Sequence, residues 1–324
     1  MLGKCLNKAL TEVALSSLVA LLATSACAAV AATSNPTTSA ANGTTVFELA
    51  SDKLPAFQAQ LVNGTQVDFQ IQNWPTIVIT PLGPAGPGKP PTETCTGTLV
   101  GPAVILLAAH CLDQRTNTLR TTYLKVDGVS LALTCAVDPD YLASPSNPDP
   151  LSPRRSEDIG LCYADTQVQL PSLKAMQFER VDIAPVSKNA AVMMMGFGCK
   201  DLRTQDQDHV LRVGNAMLSQ PAGGTGPDSA YAEIESNGPP QPALCPGDSG
   251  GPLFTGVSVT TQALPRRVRG VNSSIETSGA NLLSRISMLS HPSFVSWAKQ
   301  WIAQFPNAYI CGLTNNPVRN SCRL

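Results

Sequence analysis

The run Cys245-Pro246-Gly247-Asp248-Ser249-Gly250-Gly251-Pro252-Leu253 sets a serine hydroxyl among glycines. Glycines there permit a tight turn that exposes the serine oxygen, aims backbone N–H groups at the same point and lets a carbonyl approach closely. Such a run is poorly suited to a strand interior. A serine hydroxyl is a weak nucleophile and needs a base, usually a histidine held by a carboxylate. The chain has three histidines. His209 lies in the acidic stretch Asp206-Gln207-Asp208-His209 and reads as a solvated loop, and His291 precedes Pro292 at the start of a helical pattern. His110, in Leu107-Ala108-Ala109-His110-Cys111, directly follows an apolar run and adjoins a cysteine, which gives it a rigid seat. Among the aspartates, Asp158 leads from Ser156-Glu157 into Ile159-Gly160-Leu161-Cys162, at the mouth of an apolar strand. A carboxylate entering a core needs a polar partner, and an imidazole N–H is a suitable one.

The elements that must position these groups are strands. The 24 glycines and 27 prolines punctuate the chain, and the hydrophobic fraction of 43% suffices for a large core. Ile77-Val78-Ile79, Thr98–Ala108 (broken at Gly101-Pro102) and Ala191–Met195 read as buried strands, and Val129–Thr134 nearly alternates as a half-buried one. One helix is expected near the end, where Phe294, Trp297, Ala298, Trp301 and Ile302 recur at three-to-four spacing after His291-Pro292-Ser293. These aromatics read as a core-facing stripe.

A net charge of −1 with 14% charged residues lacks the basic excess that nucleic acid or a membrane surface selects. The first residues read as an export signal: Lys4 and Lys8, the apolar run Val13–Ala23, then small residues that allow cleavage after Ala28 or Ala31. Lipid attachment at Cys27 is the alternative, although Thr24 replaces the usual aliphatic residue. No later segment is apolar enough to cross a bilayer. Export implies an oxidising compartment, and setting aside Cys5 and Cys27 leaves eight cysteines, which read as four disulfides. With no CxxC pair, no metal site is expected. Residues 1–28 are thus assigned to a signal peptide, 29–60 to a propeptide or linker, 61–304 to the main domain and 305–324 to a disulfide-closed tail. Three Asn-X-Ser/Thr matches, at Asn42, Asn63 and Asn272, read as incidental.

Ala108-Ala109-His110-Cys111, Asp158-Ile159-Gly160-Leu161 and Gly247-Asp248-Ser249-Gly250-Gly251-Pro252 resemble, in order, the three signature motifs of the trypsin/chymotrypsin family of serine proteases, over roughly Leu61 to Gln304. The resemblance implies an all-β fold of two packed six-stranded antiparallel barrels with a C-terminal helix. It implies a catalytic triad of His110, Asp158 and Ser249, an oxyanion hole from the N–H groups of Gly247 and Ser249, and no cofactor. Partners would be protein or peptide substrates, with no nucleic acid and no stable membrane insertion, for a monomer released from the cell. Ser273 resembles the strand serine that supports the aspartate and lines the substrate backbone. Cys95 and Cys111 resemble the disulfide that pins the histidine; Cys135 with Cys162, Cys199 with Cys245, and Cys311 with Cys322 would complete the set. Leu61-Val62-Asn63-Gly64 resembles the family's mature amino terminus, whose freed amine pairs with the aspartate before the serine, here Asp248. Gln60 departs from the family's usual basic residue at that cut. Ala243, where trypsin-like enzymes carry Asp, and Ile275 and Asn281, where deep pockets have glycine, imply a shallow pocket for small or medium apolar side chains. The alternative function is a catalytically silent, protease-like binding protein, although no triad residue is replaced.

Overall fold

The computed structural model describes residues 44–49, 61–67, 74–81, 94–112, 121–143, 155–165, 321–323 and, with breaks at 206, 224, 262–264 and 279–280, 170–315. The export signal, Cys27, Asn42 and Gln60 lie outside the described residues. The apolar runs form strands as their patterns require. Strands β1 (Thr44–Leu49), β3 (Ile77–Pro81), β4 (Thr94–Gly101), β5 (Val104–Leu107), β6 (Thr121–Val126), β7 (Val129–Val137) and β8 (Gly160–Tyr163) close a barrel in the order β1-β3-β4-β5-β8-β7-β6. Gly101-Pro102 ends β4 and β5 returns antiparallel to it, and both strands are buried along their whole length. The alternating β7 keeps one face toward solvent, as its sequence predicts.

The second half is a sheet, β11-β14-β13-β12-β9-β10-β2, curved into a half-barrel. Its strands are β2 (Thr65–Gln66), β9 (Ala191–Gly196), β10 (Arg212–Met217), β11 (Tyr231–Ser236), β12 (Pro252–Thr255), β13 (Arg267–Ser278) and β14 (Asn281–Met288). Helix α3 (Pro292–Ile302), which follows two short helices, α1 (Pro139–Leu142) and α2 (Pro171–Ala175), buries Phe294, Ala298, Trp301 and Ile302 as expected. Among the described residues no helix is long and apolar enough to cross a membrane.

Two details depart from the expected pair of six-stranded barrels. The first barrel has seven strands, and the second sheet is an open seven-stranded one. The extra stave of the barrel is β1, from the segment that sequence patterning sets outside the fold. It pairs antiparallel with β3 and parallel with β6, and Phe47 and Leu49 are buried. The run is short and carries Glu48 among apolar residues, so it lacks the length that marks Thr98–Ala108. The tail is likewise part of the core: Tyr309, Ile310 and Cys311 are buried, and the Cys311 N–H donates to Val100 O.

Between the two halves lies a buried ion cluster. The Glu179 carboxylate accepts from Arg266 Nε at 2.9 Å, from Arg266 Nη2 and from Thr76 Oγ1 at 2.6 Å. Arg323 Nε, from the tail, lies 3.1 Å from Glu179 Oε1, off the hydrogen-bonding direction. The Arg266 guanidinium stacks 3.9 Å from the Trp74 ring centre, on the first-barrel side. Removing one member of a buried pair leaves an uncompensated charge. Glu179→Leu should therefore lower the unfolding free energy by about 3–5 kcal/mol in urea titrations, and an unchanged midpoint would show that the cluster does not hold the halves together.

Candidate functional site

His110 sits in a single 3₁₀ turn, Ala109–Cys111, that follows β5. Strands β5 and β8 pair antiparallel with Leu107 opposite Gly160. The end of one strand therefore abuts the start of the other, and His110 meets Asp158 across 48 residues of sequence. The Cys95–Cys111 disulfide fastens the turn to β4. His110 Nδ1 is 2.7 Å from Asp158 Oδ2, and the His110 backbone N–H donates to Asp158 Oδ1 at 2.8 Å. Asp158 is completely buried. Facing a carboxylate oxygen, Nδ1 carries the ring proton, so the neutral imidazole keeps Nε2 as an acceptor.

The third donor to Asp158 comes from the other half of the molecule. The Ser273 hydroxyl donates to Asp158 Oδ2 at 2.6 Å. Ser273 sits at a bulge in β13, where the pairing with β14 steps from Asn272–Ile286 to Ser274–Arg285. Bulges re-aim side chains in this way. The Tyr231 hydroxyl lies 3.1 Å from Ser273 Oγ and 3.3 Å from Arg155 O. Burial pushes the Tyr231 phenol well above its ordinary range, so it stays protonated and can donate.

Ser249 stands on the turn into β12, as its glycines predict. Gly247 and Gly250 have φ of 104° and 85°, in the left-handed region. At Gly250 a Cβ would lie 2.1 Å from Thr96 O, so no other residue fits. The turn is closed by Asp248 N–H to Cys245 O at 2.9 Å and Gly251 N–H to Asp248 O at 3.0 Å. The fully buried Asn272 side chain donates to Met195 O at 2.9 Å and Asp248 O at 3.2 Å, locking the turn to β9. That burial agrees with reading its Asn-X-Ser match as incidental. Ser249 Oγ is part-buried and points toward Ser273 O at 3.5 Å, a long contact that leaves the hydroxyl weakly held. Among the described residues, the N–H groups of Gly247 and Ser249 donate to no protein acceptor.

Thr96, on β4, ties this turn to the first barrel and carries no signal of its own in the sequence. Its N–H donates to Ser249 O at 2.8 Å, and its hydroxyl donates to Gly247 O at 2.9 Å while accepting from the Phe197 N–H at 3.1 Å. Only its neighbour Cys95 hinted that this strand borders the site. These contacts span 101 and 151 residues, beyond the reach of local pattern.

Asp248 is fully buried beneath the turn. Its carboxylate accepts from the Gly198 N–H at 2.7 Å and the Cys245 N–H at 2.8 Å. Burial nonetheless raises its pKa to about 7, against those two N–H groups and the charge of Arg212. The Arg212 guanidinium itself is paired with Asp208 at 2.6 Å. In this continuous chain Leu61 is buried and Val62 bridges Ala243, so the predicted mature terminus lies against the segment that leads into the serine turn. Ala243 is buried, Ile275 is half-buried against the second core, and Asn281 is half-buried at the start of β14. The four disulfides are Cys95–Cys111, Cys135–Cys162, Cys199–Cys245 and Cys311–Cys322, the pairs that the resemblance implies. The grouping of His110 with Cys95 and Cys111 offers no metal site, because both sulfurs are in that disulfide.

The histidine turn and the serine turn meet where Cys111 Sγ lies 3.9 Å from Ser249 O and Thr96 N–H donates to that same oxygen at 2.8 Å. Comparison with curated proteins finds no match. Among solved structures the chain is similar to neuropsin, a serine protease expressed in the limbic system of mouse brain. The identity is 17%, covering 74% of this chain and 98% of that one, with a TM-score of 0.49. The model of the trypsin family matches residues 66–297, well over half of the sequence, and the chain belongs to that family.

Proposed function

We propose that the protein is a secreted serine endopeptidase, made as an inactive precursor, that hydrolyses protein and peptide substrates through an acyl-enzyme on Ser249. The observation that carries this reading is the Asp158 carboxylate, which accepts from the Ser273 hydroxyl and fixes the tautomer of His110, whose neighbour Cys111 has its sulfur 3.9 Å from the carbonyl oxygen of Ser249. Ser249 Oγ attacks the scissile carbonyl as His110 Nε2 takes its proton. The resulting oxyanion accepts from Gly247 and Ser249 N–H. The imidazolium then protonates the leaving amine, and water, deprotonated by the same ring, releases the acyl group. Asp158 holds the ring and stabilises its charged form without itself taking the proton. No cofactor enters this chemistry. The four disulfides support export to an oxidising compartment, and the protein is proposed to act as a monomer. Uncharged Ala243 and the bulk of Ile275 favour small or medium apolar side chains at the cut position.

A fluorophosphonate probe tests the central claim. Protein cut before Leu61 should be labelled on Ser249, and Ser249→Ala should not. Asp158→Asn, which preserves shape but allows the wrong imidazole tautomer, should lower kcat by about 10⁴-fold, a magnitude carried over from other members of this family. A processed protein that stays unlabelled would leave the binding-module reading instead.

Thr96 is proposed as a positioning residue for the oxyanion hole, because its hydroxyl fixes the Gly247 peptide from the opposite side. Thr96→Val should reduce kcat by roughly tenfold to a hundredfold, the loss of one or two hydrogen bonds' worth of alignment, with KM nearly unchanged. Thr96→Ser should restore most of it. A mutant defective equally in KM, or a serine variant no better than valine, would make the threonine merely structural.

Activation is proposed to follow a cut before Leu61, whose freed amine would supply Asp248 with a close cation. The uncut fold holds Asp248 at about 7 against an ordinary 3.8. Below about pH 4 both folded and unfolded chains carry the proton, so the group contributes no difference. Between about 4 and 7 the unfolded chain ionises first, and stability falls as pH rises. Asp138, raised to about 6 by burial, acts in the same direction but in both forms. The expected result, with Ser249→Ala to prevent self-digestion, is a Tm that falls across this window more steeply in uncut than in cut protein. Parallel Tm profiles would sink the proposed amine–Asp248 pair.

A further inference from the structure

Strand β1 lies ahead of the proposed activation cut yet is built into the barrel that carries His110 and Asp158. Both its edges are paired. Thr44 to Glu48 run parallel to Thr121–Lys125 of β6, and Glu48 and Leu49 pair antiparallel with Ile79 and Val78 of β3. Its inward side chains, Phe47 and Leu49, are buried in the main core. Its outward Glu48 stands 3.6 Å from Lys125 Nζ. Every cysteine of the four disulfides lies after Leu61, so no disulfide among the described residues joins β1 to the rest.

Withdrawing β1 would leave β3 and β6 facing each other across a strand-wide gap, with unpaired backbone groups along both and a groove where Phe47 and Leu49 had been. Buried backbone groups need partners, and an open sheet edge is a liability in a folded protein. Among the described residues, β1 alone links β3 to β6 in the barrel's strand order.

We infer that, after the cut before Leu61, the upstream segment remains in the enzyme as a non-covalent light chain, docked through β1 in the slot between β3 and β6. This rests on the proposed activation cut. The slot is a binding site for an extended peptide with buried apolar side chains two residues apart and an acidic residue between them. Its natural occupant is this chain's own residues 44–49. The segment is therefore a permanent stave of the barrel and not a leader to be discarded.

The test uses the full exported chain with Ser249→Ala and a site for an added, highly specific protease placed immediately before Leu61. After cutting, native size-exclusion chromatography with mass spectrometry should recover the upstream fragment and 61–324 together, one to one, and denaturant should separate them. Phe47→Ala should weaken retention by about a hundredfold or more. If that variant does not fold, Glu48→Lys, which sets like charges opposite Lys125, provides a milder probe and should hasten fragment loss. A synthetic peptide spanning residues 42–52 should compete for the slot. Loss of the fragment from a heavy chain that keeps its native circular dichroism would overturn the inference, as would a naturally processed protein consisting of 61–324 alone. Because retention is read without reference to Ser249 reactivity, unlabelled serine with a retained fragment would refute the protease reading and leave this inference standing.

Discussion

The site depends on satisfying one buried carboxylate. Asp158 is removed from water entirely, and a carboxylate so placed is tolerable only with several donors. Those donors are the His110 backbone N–H, the His110 ring and the Ser273 hydroxyl. Two come from the first barrel and one from the second sheet. The carboxylate oxygen atoms thereby tie the first barrel to the second sheet. The bulge at Ser273 and the turn at His110 are local irregularities that make sense only as ways to aim those donors at one point.

The same logic extends to the serine turn. Glycines let Ser249 adopt its backbone shape, but glycine gives freedom and not fixity. Fixity is imported from Thr96 on one side and from the Asn272 amide on the other. With Gly250 pressed against Thr96 O, the turn has contacts on each face and little room to relax. Among the described residues the N–H groups of Gly247 and Ser249 meet no acceptor while the backbone is held by other means, and on the proposed reading this is the preorganisation an oxyanion needs.

The sequence made some of this legible and concealed the rest for identifiable reasons. Ser249, His110 and Asp158 lie in local strings whose residue types are improbable for ordinary turns and strands, so each could be singled out. The long apolar runs gave β4, β5 and β9, and the helical spacing gave α3. Thr96, Tyr231 and the Asn272 amide could not be recognised, because each is an ordinary strand residue whose importance arises from a partner far along the chain. Strand β1 was hidden differently. Phe47 and Leu49 alternate with Val46 and Glu48, but four residues are too few to separate a strand from chance. Its neighbours in the barrel supply the pairing that its own pattern cannot announce.

The two buried aspartates differ in their surroundings. Asp158 has three donors, one of them an imidazole able to become cationic. Asp248 has two amide donors, and the guanidinium of Arg212 that acts on it at a distance is already committed to Asp208. Burial then prevails and the proton stays on to about pH 7. On the proposed reading the uncut fold has its donors in place around Asp158 and gains a closer cation at Asp248 only after cleavage. A single backbone cut would then supply that cation without rebuilding the contacts that tie the barrel to the sheet. Holding β1 in place serves the same end, since the barrel presenting His110 and Asp158 then passes through activation with its strand order intact.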